Sequence, residues 1–185
     1  MAERRANDFY PTPKKVIDAL LSNYEIDTEK QCYILEPCAG DGAIIKELQR
    51  GGYCNIKAIE IRPEETQNLN DLVGYGRFAI ADFLTMSEKY TGRPDVIITN
   101  QPFSLAMEIL EKSMKIVSEK GKVILLLRLG FLASDKRFDF MRENPPTDMF
   151  VLHKRPSFTG KGTDSQEYGW FVWDKDKQTQ SIKII

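Results

Sequence analysis

Two short runs in this chain have the residue types and spacing to do chemistry. The first, Glu36-Pro-Cys-Ala-Gly-Asp-Gly42, places two glycines one residue apart and flanks them with carboxylates. Glycines at such a turn let backbone approach a ligand closely, and a following helix offers its N-terminal N–H groups. Glu36 and Asp41 would repel a pyrophosphate and tolerate a ligand that carries positive charge. The second run is Asn100-Gln-Pro-Phe103. An Asn followed by x-Pro reads, alone, as a turn. What either run does therefore depends on the elements that position it.

Both runs fall at strand ends in an alternating pattern. Cys32-Tyr-Ile-Leu35 is a short apolar strand leading into the glycine turn, and Ala43, Ile44, Ile45 and Leu48 follow with helical spacing. Ile56 to Ile61, Phe78 to Ala81, Asp95 to Thr99 and Val123 to Leu127 read as further strands, with helices over Pro63 to Leu72 and Ser104 to Val117. A helix over 13–24 precedes them, with Thr12 as its N-cap and Pro13 at the first helical position. From Asp148 the alternation stops. Met149 to Leu152 and Tyr168 to Trp173 are strand-like, lie either side of a polar, glycine-containing loop over 156–167, and suit a closing antiparallel pair.

Strands alternating with helices predict a parallel sheet covered on both faces. The expectation is a single domain over 1–185 of the α/β class. It is a Rossmann-like three-layer αβα sandwich whose mostly parallel, seven-stranded sheet has its last strand antiparallel. Asn100 then lies at the carboxyl edge of the sheet beside the glycine turn, where open α/β sheets bind ligands. Glu60 ends the second strand 18 residues beyond Gly42, where this fold accepts hydrogen bonds from ribose hydroxyls, and Asp82 followed by Phe83 ends the third.

Composition narrows the class. The longest apolar run is about five to six residues, far short of a membrane span, and the first residues are polar rather than a leader. Cys32, Cys38, Cys54 and His153 show neither zinc-ligand spacing nor an even disulfide set. A cytoplasmic protein with no membrane partner and no metal is expected, with Cys38 a small buried residue rather than a reactive thiol. Residues 1–119 hold 14 Lys and Arg against 19 Asp and Glu, net −5, whereas residues 120–165 hold 9 against 5, net +4. Positive charge is therefore concentrated late in the chain.

Taken in order, these features resemble the class I S-adenosylmethionine-dependent methyltransferases, and among them the DNA amino-methyltransferases of the N6-adenine type. The resemblance spans roughly residues 8–173. Asp8-Phe-Tyr-Pro-Thr-Pro13 is similar to the family's aromatic-x-Thr-Pro segment, Glu36 to Gly42 to its E-P-x-x-G-x-G cofactor loop, and Asn100 to Phe103 to its Asn-Pro-Pro-Tyr/Phe tetrapeptide. It implies S-adenosylmethionine as cofactor. Tyr10 and Thr12 would lie near its methionine part, Glu36, Cys38, Gly40 and Gly42 around its carboxylate and ribose edge, Glu60 on the ribose hydroxyls, and Asp82 with Phe83 on adenine.

The same resemblance implies a catalytic role for Asn100, Gln101, Pro102 and Phe103. An exocyclic amino group is a poor nucleophile because its lone pair is delocalised into the ring. Two acceptors aimed at its hydrogens, Asn100 Oδ1 and the Gln101 backbone carbonyl, favour the pyramidal nitrogen. Phe103 would stack on a target base drawn out of its duplex. Gln101 departs from the family's proline: the backbone carbonyl survives, the loop loses rigidity, and a side chain is added near the target.

Arg128, Lys136, Arg137, Lys154, Arg155 and Lys161 could hold phosphates, and Phe158 could be presented to a base. The 21 residues between the fifth strand and the last pair leave no room for a separate recognition region. Relaxed specificity, a single-stranded substrate or a partner subunit follow as expectations. The leading reading is N6-adenine methylation of DNA. RNA, cytosine N4 and a protein glutamine amide are the alternatives within the enzyme class, and a non-catalytic S-adenosylmethionine-binding interaction protein is the alternative outside it.

Overall fold

The computed structural model describes residues 10–28, 30–158, 160 and 162–185. Its strands are β1 (Ile34–Glu36), β2 (Ile56–Glu60), β3 (Phe78–Ile80), β4 (Val96–Thr99), β5 (Lys122–Arg128), β6 (Asp148–Val151), β7 (Tyr168–Asp174) and β8 (Ser181–Ile184). They form one sheet in the order β3-β2-β1-β4-β5-β7-β6-β8. Helices α1 (Lys14–Leu21), α2 (Ala43–Arg50), α3 (Thr66–Val73), α4 (Glu88–Thr91), α5 (Ala106–Ile116) and α6 (Phe138–Glu143) connect or cover them.

The continuous apolar strands are those buried on both faces. β1 and β4 are buried throughout, and in β5 the alternation sorts side chains to opposite sides of the sheet. Ile124 and Leu126 join Ile34, Ile98 and Trp170 in the core under α1 and α2, whereas Val123, Leu125 and Leu127 join Leu35, Ile97 and Phe171 in the core under α5. The first core reaches across the whole fold, because Trp170 Nε1 on β7 donates to the Val16 carbonyl on α1 at 2.9 Å.

The mostly parallel α/β sandwich and the antiparallel pairing of β6 with β7 agree with the pattern read from the chain. Two details differ. The sheet has eight strands, not seven, because Ser181–Ile184 adds an exposed edge strand. That last strand pairs parallel with β6, and the antiparallel member is β7, inserted between β5 and β6. A four-residue edge strand buries too little to leave a strong sequence signal.

The first helix starts at Lys14, and Pro13 occupies the N-cap position with no side-chain cap. Thr12 is therefore not a helix cap, and its hydroxyl serves the site described below. Among the described residues, no helix is long and apolar enough to cross a membrane, and no cluster of His, Cys, Asp and Glu could hold a metal ion.

Candidate functional site

β1 to β6 all run in one direction, β5 and β6 because each is antiparallel to the β7 between them, so the loops following them gather at one edge of the sheet. The turn after β1 reverses through Gly40 (φ +56°) and Gly42 (φ +74°), both in the left-handed region that glycine tolerates. Between the ends of β1, β2, β3 and β4 lies a cleft that is partly open to solvent. Tyr10, Thr12, Glu36, Cys38, Gly40, Glu60, Asp82, Phe83, Asn100 and Pro102 all line it.

Gly42 does not line this cleft. Its job is steric: a Cβ there would lie 2.3 Å from Leu72 Cδ1, and its left-handed φ turns the chain into α2. Only Gly40 of the pair brings backbone to the cavity wall.

Carboxylates dominate the cleft. Glu36 is 2% exposed, and its Oε2 meets no hydrogen-bond donor among the described residues. Burial pushes its carboxyl well above the usual range, the charges of Asp41 and Glu60 add to the rise, and the N–H of Ile45 at the start of α2 offsets part of it. Cys38 is half-buried on the cleft wall rather than fully buried as expected, and desolvation there pushes its thiol up.

Glu60 is held differently from the expectation of a free ribose acceptor. Its Oε2 accepts the Gly40 N–H at 2.7 Å, and its Oε1 accepts Arg62 Nε at 2.9 Å and the Arg62 N–H at 3.0 Å. Glu60 thus straps the glycine turn to β2. Asp82 accepts the Leu84 N–H at 2.9 Å and so closes the turn that follows β3. Phe83 is buried, with Lys112 Nζ 4.9 Å from its ring centroid.

Lys112 and Arg62 were not foreseen. Lys112 Nζ reaches the carbonyls of Phe83, Leu84 and Met86 at 2.5, 3.1 and 2.7 Å, gathering the loop after β3 onto α5. Its signal in the sequence is slight: a lysine between Ile109 and Ile116 on the helix face that turns inward. Arg62 pairs with Glu60 and, through its Nη2, with Glu65 at 3.1 Å, and no local pattern marks it.

At the end of β4 the tetrapeptide meets the chain's beginning. Asn100 Nδ2 donates to the Thr12 hydroxyl at 3.0 Å and to the Tyr10 carbonyl at 3.2 Å. Those two bonds set which way the amide faces, committing its NH2 to the lead-in and leaving Oδ1 as the acceptor. Asp8 and Phe9 of the lead-in lie outside the described residues.

The Gln101 side chain does not stand near a target site. It is 2% exposed and turns into the fold, where Nε2 donates to the Leu126 carbonyl at 3.2 Å. Beyond Pro102, Phe103 sits in an aromatic cluster, 5.4 Å from Tyr168 and 6.4 Å from Phe158 between ring centroids. The Arg128 guanidinium lies 4.7 Å from the Phe103 centroid, and its Nε donates to the Tyr168 hydroxyl at 3.2 Å.

The late basic residues divide. Phe158 is 9% exposed and packs against Tyr10 and Tyr168, so it is a wall of the aromatic cluster rather than a ring offered to solvent. Arg155 pairs with Glu167 at 2.6 Å, and Arg137 lies on the Phe131 ring while donating to that residue's carbonyl at 2.7 Å. Lys136 and Lys154 are exposed. Lys161 falls outside the described residues. The structure thus joins Arg128 and Phe158 to Phe103, and leaves the remaining cations on the loops after β5 and β6 at the same sheet edge.

No protein-family model matches this chain, and no curated protein is detectably similar to it in sequence. Its fold, however, is similar to those of several solved methyltransferase structures. A type I restriction-modification system methyltransferase subunit from Streptococcus thermophilus superposes with a TM-score of 0.72 at 14% identity, covering 95% of this chain and 47% of that one. A Listeria monocytogenes protein assigned to the class I S-adenosylmethionine-dependent methyltransferases gives 0.64 at 14% identity over 93% of this chain and 62% of that one. A Pyrococcus horikoshii protein assigned as an RNA methyltransferase gives 0.64 at 16% identity, over 91% and 88%. The chain spans about half the length of the restriction-modification subunit and under two thirds of the Listeria protein.

Proposed function

We propose that this chain transfers a methyl group from S-adenosylmethionine to an exocyclic amino group, with adenine N6 in DNA as the target. The observation that carries the reading is the Asn100 amide, whose NH2 is spent on Thr12 and Tyr10 while its oxygen stays an acceptor, between a carboxylate-lined cleft and an aromatic cluster.

The cleft fits the cofactor on its own chemistry. Glu36 offers a buried oxygen that has no donor partner among the described residues, at a place where a cationic ligand's N–H groups would be drawn in. When bound, S-adenosylmethionine supplies an activated methyl carbon on a sulfonium. Glu36 and Asp41 would meet its positive end, Gly40 would bring backbone against it, and Asp82 with the buried Phe83 would border its adenine.

The residues beyond the cleft do the rest. Asn100 Oδ1 and the Gln101 carbonyl would accept the two hydrogens of the target amino group, aiming its lone pair at the methyl donor. Phe103 would stack on the ring that bears the amino group, a contact worth about 1 to 3 kcal/mol per base. Asn100 Oδ1 and the Gln101 carbonyl would hold the amino group while its nitrogen gains the methyl and the cofactor departs as the neutral thioether; the spare proton would then pass to water, and this chemistry needs no metal. Lys136 and Lys154, exposed on the same sheet edge, suit the phosphates of a nucleic acid.

A test is to incubate the protein with methyl-labelled S-adenosylmethionine and unmethylated DNA, digest to nucleosides and identify the product by mass spectrometry. N6-methyldeoxyadenosine is expected, with Asn100→Ala reducing it at least a hundredfold. Label on cytosine, in RNA only, or in neither would overturn the assignment.

A further inference from the structure

The tetrapeptide carries one group that the proposed chemistry does not use, the Gln101 side chain. It is 2% exposed, and its only polar contact among the described residues is Nε2 to the Leu126 carbonyl at 3.2 Å. Its Oε1 is buried and meets no donor among the described residues. A side chain chosen for packing alone would be apolar and would leave no such orphan acceptor. The amide's presence therefore points to its donor.

The acceptor's position shows what that donor achieves. The β4–β5 ladder ends at Thr99 opposite Leu125, so Leu126 is the first β5 residue beyond the paired register. Gln101 is the second residue beyond β4, and its side-chain N–H reaches the carbonyl that the ladder leaves behind. A second tie follows two residues along each segment, where the Arg128 guanidinium lies on the Phe103 ring at 4.7 Å. On the opposite side, Thr12 and Tyr10 hold Asn100. Of these ties, the one from Gln101 is made by the residue whose backbone carbonyl the proposed reaction uses.

We propose that Gln101 is a positioning residue. Its buried amide staples the loop to β5 and holds its own backbone carbonyl in place, supplying through a hydrogen bond the restraint that a proline would supply through a fixed φ. This rests on the methyl-transfer reading for the carbonyl's role, and on the geometry alone for the staple.

Two variants separate the staple from simple packing. Gln101→Met keeps the length and burial and loses the donor, whereas Gln101→Pro restores restraint without it. Amide hydrogen exchange at Leu105, whose N–H donates to the Pro102 carbonyl at 3.0 Å, reports the loop's order without any activity. Exchange should quicken at least tenfold in Gln101→Met and recover at least fivefold from that level in Gln101→Pro, with S-adenosylmethionine affinity within twofold of the parent throughout. In parallel, kcat for methyl transfer should fall at least tenfold in Gln101→Met with KM for the cofactor unmoved, and rise again in Gln101→Pro.

Parent-like exchange at Leu105 in Gln101→Met, or slower transfer explained by lost cofactor affinity, would overturn the inference. A parent protein that methylates nothing, with exchange still following the staple, would overturn the proposed reaction and leave the staple standing.

Discussion

Asn100 and Thr12 lie 88 residues apart in the chain and 3.0 Å apart in the fold, joined by a hydrogen bond from the Asn100 amide to the Thr12 hydroxyl. An amide has a donor end and an acceptor end, and this bond, with the one to the Tyr10 carbonyl, decides which end is left for a substrate. The lead-in segment is thus part of the candidate catalytic centre and not merely an edge of the cofactor cleft.

Thr12→Val removes the acceptor and keeps the shape. Loss of one such hydrogen bond costs about 1 kcal/mol and frees the amide to turn. Methyl transfer should fall about fivefold to tenfold, while Tm drops by no more than about 2 to 4 °C. A combined kinetic and thermal measurement checks this; unchanged kcat would mean that Asn100 needs no help in facing its target.

Glu36 predicts a proton linkage. Burial and its acidic neighbours raise its carboxyl in the folded protein above the ordinary value of 4.5, so the folded state holds this proton over a range of pH in which the unfolded chain has lost it. The contribution to stability is full below 4.5 and is lost as pH rises towards the raised folded value. Unfolding free energy of the ligand-free protein should decline across that window, and Glu36→Gln should flatten the decline. A cationic ligand favours the charged carboxylate, so S-adenosylmethionine binding should release protons. Calorimetry in two buffers of different ionisation enthalpy measures the release, which Glu36→Gln should remove.

Gly42 should tolerate no side chain. A residue forced to its φ of +74° carries about 1 to 3 kcal/mol of strain, and the new Cβ must also displace Leu72 Cδ1 from 2.3 Å. Gly42→Ala should therefore lower the Tm clearly, and adding Leu72→Ala should recover only the steric part. Full recovery in the double variant would show that the left-handed turn is not itself costly.

The two cations after β6 should differ. Lys154 is exposed, whereas Arg155 is already paired with Glu167 at 2.6 Å. If both face nucleic acid, removing Lys154 should reduce the slope of log affinity against log salt by about 0.9, and removing Arg155 by less. Equal slopes for Lys154→Gln, Arg155→Gln and the parent would place the phosphates elsewhere.

Phe103 was legible as an aromatic at a strand-end turn, and its place beside Arg128 and Tyr168 was not. The same division runs through the site. Glu36, Gly40, Asp82 and Asn100 could be assigned to one sheet edge because apolar runs that end in polar residues mark strand ends locally. Phe158, by contrast, reads in the chain as an exposed ring in a polar loop and in the fold as a buried wall beside Tyr10. Tyr10 and Phe103, two of the three rings around it, come from distant parts of the sequence, which no local pattern reports.

What the chain determined by itself is local: the alternation of strands and helices, the left-handed glycine turn into α2, and the placing of Asn100 just beyond β4. Each follows from periodicity or from a backbone angle that few residues accept. Tertiary structure decided the rest. It tied the Asn100 amide to Thr12 and Tyr10, drew the Gln101 side chain inward to Leu126, gave the oxygens of Glu60 to Gly40 and Arg62, and added β8 beside β6. Those outcomes depend on which distant groups a polar atom meets once the sheet is assembled, and hydrogen-bond partners across 88 residues are set by packing and register, not by neighbours in sequence.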